Sequence, residues 1–547
     1  MSSCAKILRK VHAIAIEEDD LGKAKQFRLF SIARPHMRSF HTSWFCFFIA
    51  FTAWFGLQPL LPTIQKELHL SKIDLANSGT ASISATIAVR VIIGPLCDRF
   101  GPRRVMSILL LTGSVPMALT GLIRNGLGLL IVRLFIGILG GTFVPCQLWT
   151  SAMFSPNIVG TANAIVGGWG NLGGGFTFIL MPGLFQLVKV CGADEFLAWK
   201  IAVVIPSAIC VIFGLLILFT SDDCPQGNWQ KRKLPAIPEN TNNIKKNAEQ
   251  GCVENRVWKL GFENDIHTEF KNGFNTKALY VDKYVQTDCK KDSCTTEKMW
   301  AYLTVIILII QYGMCFGIEI AVNTIMNLYL LYRFKVEGCT EGDVRNSSLF
   351  NAVNGSTFPS VVVTHDCSIL DQDTASLITS LFGLMNLFAR AMGGIYSDIL
   401  RNHFKLSGRL LAHFTSLAGE GAMLIIFSQM TNIPAAIGIM IIFSIFVQMS
   451  EGTTFAIVPY IIPERVGVVA GLVGAGGNAG AMIWTTVWTE LVETDPSRWF
   501  WLLGVIVLCG NCLTLFSLVQ HERIWHVFRH CRLKTLKHQT DEQSTHL

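Results

Sequence analysis

The chain has 547 residues, of which 51% are hydrophobic and 15% are charged, and its mean hydropathy is +0.43. A soluble domain carries roughly 25% charged residues, so this composition excludes an ordinary soluble protein and predicts one that lies in a lipid bilayer. The net charge of +7 does not indicate nucleic-acid binding, because the basic residues lie in loops and tails, where the positive-inside rule places them.

The order of polar and apolar segments predicts the fold. Residues 1–42 are polar and basic and lack the apolar core of a signal peptide, so we expect them to stay in the cytoplasm. Six apolar runs lie within 43–220 and six more within 299–519, joined by a polar cytoplasmic linker at 221–298 and followed by a cytoplasmic tail at 520–547. The sequence therefore predicts an all-α membrane protein with twelve transmembrane helices in two pseudo-symmetric six-helix bundles.

Each apolar run is about 20 residues or longer, which is the length that crosses a bilayer. The runs lie near 43–64, 76–97, 105–123, 127–153, 160–187 and 197–220, and then near 299–332, 374–397, 409–429, 434–460, 466–491 and 498–519.

The arginine within the second run, Arg90, is the first candidate for a functional residue. An arginine in the middle of an apolar run costs a few kcal/mol or more in a bilayer, so it is expected to face a polar pathway. The alternative is an arginine that snorkels to the headgroups or pairs with a structural carboxylate. A second copy favours function: Arg390, like Arg90, is followed by glycine after four residues and by aspartate after eight. Two such arginines indicate one binding site between two similar halves.

Two glycine-rich stretches repeat in the same way. The pattern G-x-x-G-N-x-G begins at residue 167 and again at residue 474, and its asparagines are Asn171 and Asn478. On a helical projection, Gly167, Asn171, Gly174 and Gly175 share a face. Helix packing alone accounts for glycines, whereas a buried amide needs hydrogen-bond partners, so the asparagines are candidate binding residues.

The chemistry of these residues indicates an anion. Two fixed positive charges with no acidic residue close to them in sequence leave the site at about plus one once a monovalent anion binds. The forked donors of guanidinium suit a planar oxyanion, and asparagine amides add further donors. Nitrate, nitrite, bicarbonate and small carboxylates fit this argument equally well.

Within the long outer loop predicted at 333–373, two acceptor sequons begin at Asn346 and Asn354 and predict glycosylation on the extracellular face. Cys339 and Cys367 in the same loop either pair in that oxidising compartment or remain free thiols. No zinc site is expected at Cys289 and Cys294, because no further Cys/His pair stands beside them at ligand spacing.

The stretch after the second run resembles the loop motif of major facilitator superfamily transporters, G-x-x-x-D-R-x-G-x-R-R, and residues 394–398 look like its degraded second copy. The motif implies a gating role for the residues Gly94, Asp98, Arg99, Gly101 and Arg103.

Within that superfamily, residues 168–175 and 474–480 resemble the two nitrate signatures of the nitrate/nitrite porter family, in its plant, algal and fungal high-affinity type. This resemblance implies that Arg90 and Arg390 hold the anion and that Asn171 and Asn478 support it. It also implies that Phe143 and Tyr312 pack on the anion or bond to it.

The resemblance implies a transporter, not an enzyme, that imports nitrate by alternating access together with protons. Its expected partners are nitrate, nitrite, protons and membrane lipid, with no cofactor, metal or nucleic acid, and the expected location is the plasma membrane with both termini cytoplasmic. A nitrate sensor with little transport and a transporter of another small monovalent anion remain open. The short tail and long central loop depart from plant members, which puts dependence on a small accessory membrane protein in doubt.

Coupling to protons needs a titratable group in the pathway, because arginine does not release protons at ordinary pH. The candidates inside apolar runs are Glu319, Glu420 and Glu451. Glu319 is preferred, since it lies seven residues after Tyr312 and therefore on the same face of a helix.

Overall fold

The computed structural model describes residues 16–232, 291–335, 368–370, 372–491 and 495–527, and the helices below lie in these ranges. Several residues singled out in the sequence lie outside the described ranges: Asn346, Asn354, Cys289, Cys339 and Cys367.

The helices of the first half are α1 His36–Phe55, α2 Leu61–Leu68, α3 Lys72–Phe100, α4 Pro102–Leu119, α5 Gly126–Ile136, α6 Phe143–Met153, α7 Val159–Val190 and α8 Glu195–Thr220. Those of the second half are α9 Lys291–Arg333, α10 Gln372–Leu384, α11 Ala389–Ser428, α12 Ile433–Ile461, α13 Val466–Leu491 and α14 Pro496–Asn511. Short 3₁₀ turns connect several of them, among them Gly137–Thr142 between α5 and α6.

In the described residues, 11 continuous helical stretches are long and apolar enough to cross a membrane. One of them, Leu377–Ser428, has 52 residues, which is far more than one crossing needs. The backbone leaves the helical conformation at Phe404 and Lys405, where φ of Lys405 is 56°. This break divides the stretch into two spans, so the structure has the twelve spans that the sequence predicts.

The first helix begins at His36, earlier than the apolar run that starts at residue 43. Its first turns contain polar side chains that are nevertheless buried. His36 Nε2 lies 2.7 Å from the carbonyl oxygen of Gly22, and Ser39 donates to the carbonyl oxygen of Asp222 at 3.0 Å. These contacts compensate the buried polar groups, and hydropathy along the sequence does not detect them.

The segment before α1 packs on the loop between α6 and α7. The Ala24 amide donates to Met153 at 3.0 Å, and its carbonyl oxygen accepts from Ser155 at 2.9 Å. Residues 517–527 lie at the same end of the bundle as this segment. The Gln520 side chain donates to the backbone carbonyl oxygen of Tyr460, and the Tyr460 hydroxyl donates to the carbonyl oxygen of Pro156, in the loop between α6 and α7. We call this end the termini face.

The two halves meet along α3 with α13 and along α7 with α11 and α12. At both contacts, a glycine allows the backbones of the two facing helices to approach closely. A Cβ atom at position 94 would lie 2.7 Å from the carbonyl oxygen of Gly467, and one at position 394 would clash with the carbonyl oxygen of Gly160. Small residues let helices approach closely where lipid supplies no hydrophobic drive. Both candidate arginines lie one turn before these glycines.

Candidate functional site

Arg90, on α3, is fully buried. Its Nε donates to the carbonyl oxygen of Gly140 at 2.9 Å, and its Nη1 donates to that of Gly474, in the second half, at 2.7 Å. The guanidinium carbon lies 4.9 Å from the centre of the Phe143 ring. Its Nη2 is buried without a hydrogen-bond partner in the protein. The two hydrogen bonds therefore fix the position of the Arg90 guanidinium, and its Nη2 remains available to donate to a ligand.

Arg390, in the first turn of α11, is also fully buried. Its Nη2 donates to the Tyr312 hydroxyl at 2.9 Å, its Nη1 forms an ion pair with Glu451, and its Nε has no protein partner. The sequence-based expectation of two uncompensated positive charges is therefore wrong for Arg390. Glu451 lies 61 residues away in sequence, on α12, so inspection of neighbouring residues could not find the pair.

Both arginines lie close to the ring of Phe143. The Arg390 guanidinium carbon is 5.8 Å from its ring centre, compared with 4.9 Å for Arg90. The Tyr312 and Phe316 rings stack on it at 6.2 and 6.3 Å between centres, and the Phe455 ring meets it edge-on at 4.7 Å. The arginines thus share an aromatic enclosure, in which a guanidinium over a ring face gains cation–π attraction.

Sequence reasoning missed Phe316 and Phe455, although a signal existed. Phe316 follows Tyr312 by four residues and Phe455 follows Glu451 by four, so each lies one turn further along the same helix face.

The two asparagines differ in their contacts. Asn478 is fully buried, and its Nδ2 donates to the carbonyl oxygen of Gly474 at 3.3 Å, the same oxygen that Arg90 uses. Neither the Nδ2 nor the Oδ1 atom of Asn171 has a partner, although both are buried. Because buried amides are normally paired, Asn171 has both a donor and an acceptor left for a ligand.

The signature glycines bring each half onto the arginine of the other half. A Cβ at position 167 would lie 2.8 Å from Arg390 Nε, and a Cβ at position 474 would lie 3.3 Å from Arg90 Nη1. The prediction of one closely packed glycine face on α7 is wrong at Gly175, which has nothing within 4 Å. The closest contacts lie at position 167, which is on the predicted face, and at positions 168, 170 and 173, which are not.

Glu319 lies beside the Arg390 ion pair. One of its oxygens accepts from Asn386 Nδ2, while its other oxygen and Glu451 Oε1 are buried without hydrogen-bond partners. The Glu319 and Glu451 carboxyls interact electrostatically with each other and with Arg390. Glu319 and Glu451 therefore form a pair of carboxyl groups beside Arg390.

Charges at the site can now be counted. Arg90 and Arg390 contribute two positive charges, and Glu451, which forms an ion pair with Arg390, contributes one negative charge. The sum over these three residues is one positive charge, centred on Arg90, and a single monovalent anion neutralises it.

The loop-motif residues have two kinds of contact. Asp98 accepts from the backbone amides of Gly467 and Val468, both at 2.9 Å, at the N-terminal end of α13 in the other half. Helix N-termini attract negative charge, so this carboxylate fastens the halves at the termini face. The guanidinium of Arg99 lies over the Phe100 ring at 5.2 Å instead.

Gly101 and Arg103 contact the start of the linker rather than the second half. Gly101 has a φ of 90°, and Arg103 Nη2 lies 3.2 Å from the Asp223 carboxylate. Burial raises the pKa of Asp223, and the Arg103 charge partly offsets that shift. This part of the motif holds residues 221–231 against the first half.

The second copy of the motif repeats the contact of Asp98. Asp398 accepts from the backbone amide of Thr161 at 2.6 Å and from its hydroxyl at 2.7 Å, at the N-terminal end of α7. Arg409 donates to the same carboxylate at 2.6 Å. Each half thus places an aspartate on a helix start of the other half.

Searching the described residues for groups of three or more His, Cys, Asp or Glu able to hold a metal ion found none.

Comparisons with known proteins agree with this geometry. Residues 43–485 match the family model of the Major Facilitator Superfamily. The solved structure of the proton:xylose symporter XylE aligns with 88% of this chain and 96% of its own chain, at a TM-score of 0.53 and 13% sequence identity. The solved structure of the E. coli fucose:proton symporter FucP aligns with 88% of this chain and 98% of its own chain, at a TM-score of 0.53 and 12% sequence identity. At these identities the likeness shows the fold alone. The chain is a membrane transporter of the Major Facilitator Superfamily.

Curated relatives narrow the family. The chain is 33% identical to the high affinity nitrate transporter 2.5 of Arabidopsis thaliana, over 92% of this chain and 84% of the relative. It is 32% identical to nitrate transporter 2.2 of Chlamydomonas reinhardtii, over 91% of this chain and 82% of the relative. It is 30% identical to the nitrate/nitrite transporter NrtP of Picosynechococcus, over 83% of this chain and 85% of the relative. Within the superfamily it belongs to the nitrate/nitrite porter family, which confirms the resemblance found in its motifs.

Proposed function

We propose that the chain imports nitrate across the plasma membrane by alternating access, in symport with protons, with the termini face in the cytoplasm. The observation that carries the proposal is that Arg90 and Arg390 are both fully buried and both lie close to the Phe143 ring, at the interface of the two halves. Relatives named as nitrate transporters support the choice of anion, and NrtP, named for nitrate and nitrite, supports nitrite as a second substrate.

The donors that the protein leaves unused suit a small planar oxyanion. Arg90 Nη2, Arg390 Nε and the Asn171 amide are buried without protein partners. Planar forked donors recognise planar acceptors, and the Phe143 ring provides a flat apolar surface beside them. A bulkier anion would have to displace the aromatic rings.

Glu451 connects the anion to protons. Its carboxylate occupies one donor of Arg390, so it competes with the anion for that guanidinium. Protonation of the Glu319 and Glu451 pair releases Arg390 and adds positive charge, and anion binding in turn favours protonation, because the linkage is reciprocal.

The energetics require this coupling. A cell interior negative by about 100 mV opposes entry of one anion by about 2.3 kcal/mol. Uptake from dilute solution therefore needs co-transported positive charge, which two or more protons per nitrate would supply.

The transport cycle further requires the termini face to open. Asp98 and Asp398 hold the halves together at that face, and both arginines are fully buried while these contacts are made. Opening breaks both contacts and lets the anion leave into the cytoplasm.

The deciding experiment expresses the chain in a nitrate-transport-deficient host and measures labelled nitrate uptake at several external pH values. We expect saturable uptake that increases as the external pH falls, inhibited by nitrite more than by small carboxylates. Nitrate binding to purified protein without uptake would favour a sensor, and stronger inhibition by a carboxylate would favour another anion.

A further inference from the structure

A buried amide lies one helical turn beyond Phe143 on α6. Gln147 follows Phe143 by four residues, so it lies on the same helix face, and it is 1% exposed. Because α6 ends at Met153, whose carbonyl oxygen accepts from Ala24, Gln147 lies on the side of Phe143 nearer the termini face. An anion that leaves the arginines for the cytoplasm moves in its direction.

The hydrogen bonds of Gln147 leave one amide hydrogen unused. Its Nε2 donates to the backbone carbonyl oxygen of Asn163, on α7, at 3.3 Å. A carbonyl oxygen only accepts, so the amide nitrogen must lie there rather than Oε1. That nitrogen carries two hydrogens, and the described residues offer no acceptor for the second. Because buried amides are normally paired, Gln147 has a donor left for a ligand.

The amide nitrogen of Gln147 lies beside an unused donor of Arg390. A Cβ atom at position 167 would lie 2.8 Å from Arg390 Nε and 3.1 Å from Gln147 Nε2. Both nitrogens are thus at hydrogen-bond distance from one point over the Gly167 backbone, and Arg390 Nε has no protein partner. Two donors on one small space, one of them charged, suit an oxygen atom of an anion. The missing side chain at Gly167 keeps that space free.

Asn163 connects Gln147 to the second half. Its Nδ2 donates to the Ser151 hydroxyl at 2.9 Å and to the carbonyl oxygen of Phe455, on α12, at 3.2 Å. The bond to Phe455 crosses the interface of the halves, so opening of the termini face breaks it and frees a hydrogen of Nδ2. Asn163 precedes Gly167 by four residues, so this donor becomes available one helical turn, about 5.4 Å, nearer the cytoplasm.

Two amide oxygens in the same region, Gln147 Oε1 and Asn163 Oδ1, are buried without donors. They disfavour a bare anion on their side and need hydrogens from water, which enters when the termini face opens. The amide hydrogens then face the anion, and the oxygens face its water. The set therefore suits a small, partly hydrated oxyanion rather than a cation, which the charge of Arg390 repels.

We propose that Gln147, Arg390 and Asn163 form a second binding position for a small oxyanion, between the arginine site and the cytoplasm, and we call it the inner site. The inference rests on the proposed function, because it needs an anion that leaves at the termini face. As that face opens, the anion keeps Arg390 Nε as a donor and exchanges Arg90 Nη2 for Gln147 Nε2. The freed Asn163 Nδ2 is the next donor along the way out.

The test measures half-saturation by nitrate separately at the two faces of the membrane. Right-side-out and inside-out membrane vesicles, from a nitrate-transport-deficient host that expresses the full-length chain, are preloaded with unlabelled nitrate. Entry of labelled nitrate is recorded at equal pH, and inside-out vesicles present the termini face to the label. We expect Gln147→Met, which keeps the length and removes the amide, to raise the half-saturation concentration at the termini face at least about tenfold. At the opposite face the change is expected to stay below about twofold.

Gln448→Met is the matched control. Gln448 is a fully buried glutamine on α12 whose Nε2 donates to the carbonyl oxygen of Phe382 at 3.0 Å. Its replacement is expected to leave both half-saturation concentrations within about twofold. Gln147→Glu keeps the shape of the side chain and replaces the donor by a carboxylate, so it should weaken binding at the termini face further. This variant decides the matter if Gln147→Met does not reach the membrane.

Half-saturation concentrations that stay unchanged at both faces in the two Gln147 variants would overturn the inner site. An equal rise at both faces would also overturn it, because a purely structural role has no preferred face. Absence of nitrate exchange by the unchanged protein in both kinds of vesicle would instead overturn nitrate transport itself.

Discussion

Arg90 of the first half donates a 2.7 Å hydrogen bond to the carbonyl oxygen of Gly474, a residue of the glycine signature of the second half. The same guanidinium donates to Gly140 at 2.9 Å. One side chain thus spans two carbonyl oxygens and still faces the site with Nη2. An ammonium group at the end of a lysine lacks this planar fork, so lysine preserves the charge and loses the geometry.

We therefore expect Arg90→Lys and Arg390→Lys each to raise the KM for nitrate at least about tenfold, equivalent to about 1.4 kcal/mol. Labelled uptake corrected for the amount of protein at the surface gives the measurement. Arg133→Lys is the matched control and is expected to leave the KM unchanged. Arg133 is a buried arginine outside the site, and its Nη1 donates a hydrogen bond to the Ser78 hydroxyl at 3.3 Å. Normal kinetics in both site variants would contradict the two-arginine site.

A second prediction concerns the acid that pairs with Arg390. Glu451→Gln mimics the protonated carboxyl, so Arg390 is released at every pH. We expect nitrate binding by the purified variant to become independent of pH, whereas that of the unchanged protein weakens as pH rises, because an ionised Glu451 competes with the anion for Arg390. In liposomes, nitrate uptake driven by an inward pH gradient is expected to fall at least about tenfold. Exchange of labelled for unlabelled nitrate at equal pH is expected to be retained.

Glu319→Gln provides the comparison, because it leaves the Arg390 ion pair intact and changes only the partner carboxyl. A smaller loss of pH dependence is expected. If Glu451→Gln binds nitrate with the pH profile of the unchanged protein, neither carboxyl controls the anion site.

Much of this site could be predicted from the sequence because its residues occur in motifs that are repeated in the two halves. The arginines and the two motif aspartates recur at equal spacing in the two halves, and the asparagines recur within the same G-x-x-G-N-x-G pattern. Such a repeat is visible without knowledge of contacts. The partner of Arg390 has no such mark: the position equivalent to Glu451 in the first half is not acidic, and only packing of α11 on α12 brings the two side chains together. Long-range pairing of this kind depends on the tertiary fold.

The glycine signatures provide the third prediction. A side chain at Gly173 would clash with the carbonyl oxygen of Phe48, and one at Gly480 would clash with that of Gly313. We expect Gly173→Leu and Gly480→Leu to reduce the amount of protein that reaches the membrane. Asn171→Ala is expected to reach the surface normally and to lose transport, because the amide forms no hydrogen bond within the protein that folding would lose.

Gly175→Leu is the matched control, as that position is open and a leucine there meets lipid or solvent. Surface labelling and uptake measured on the same cells separate the two effects. Poor surface delivery of Asn171→Ala together with normal delivery of Gly173→Leu would reverse the assigned roles. The sequence placed position 175 on the packed face because helical projection gives direction but not the distance to the neighbouring helix.

The last prediction tests the contact at the termini face. Asp98 accepts two backbone hydrogen bonds from the start of α13, and hydrogen bonds to a charged group contribute about 1.5–3 kcal/mol each. Asp98→Ala removes both, so the population open at the termini face should increase. The neighbouring Cys97 is fully buried and free, and it serves as the reporter. We expect its alkylation by a maleimide applied to the termini face to become at least about tenfold faster.

Peptide mass spectrometry after timed exposure measures the rate at each cysteine. Cys210, buried in the first half with its thiol 4.0 Å from the carbonyl oxygen of Ile49, should stay protected in every variant, which distinguishes gate opening from unfolding. Asp398→Ala breaks the equivalent contact with α7 and should also expose Cys97, because both contacts hold the same closed state. If Cys97 reacts no faster in either variant, these aspartates do not hold the termini face closed.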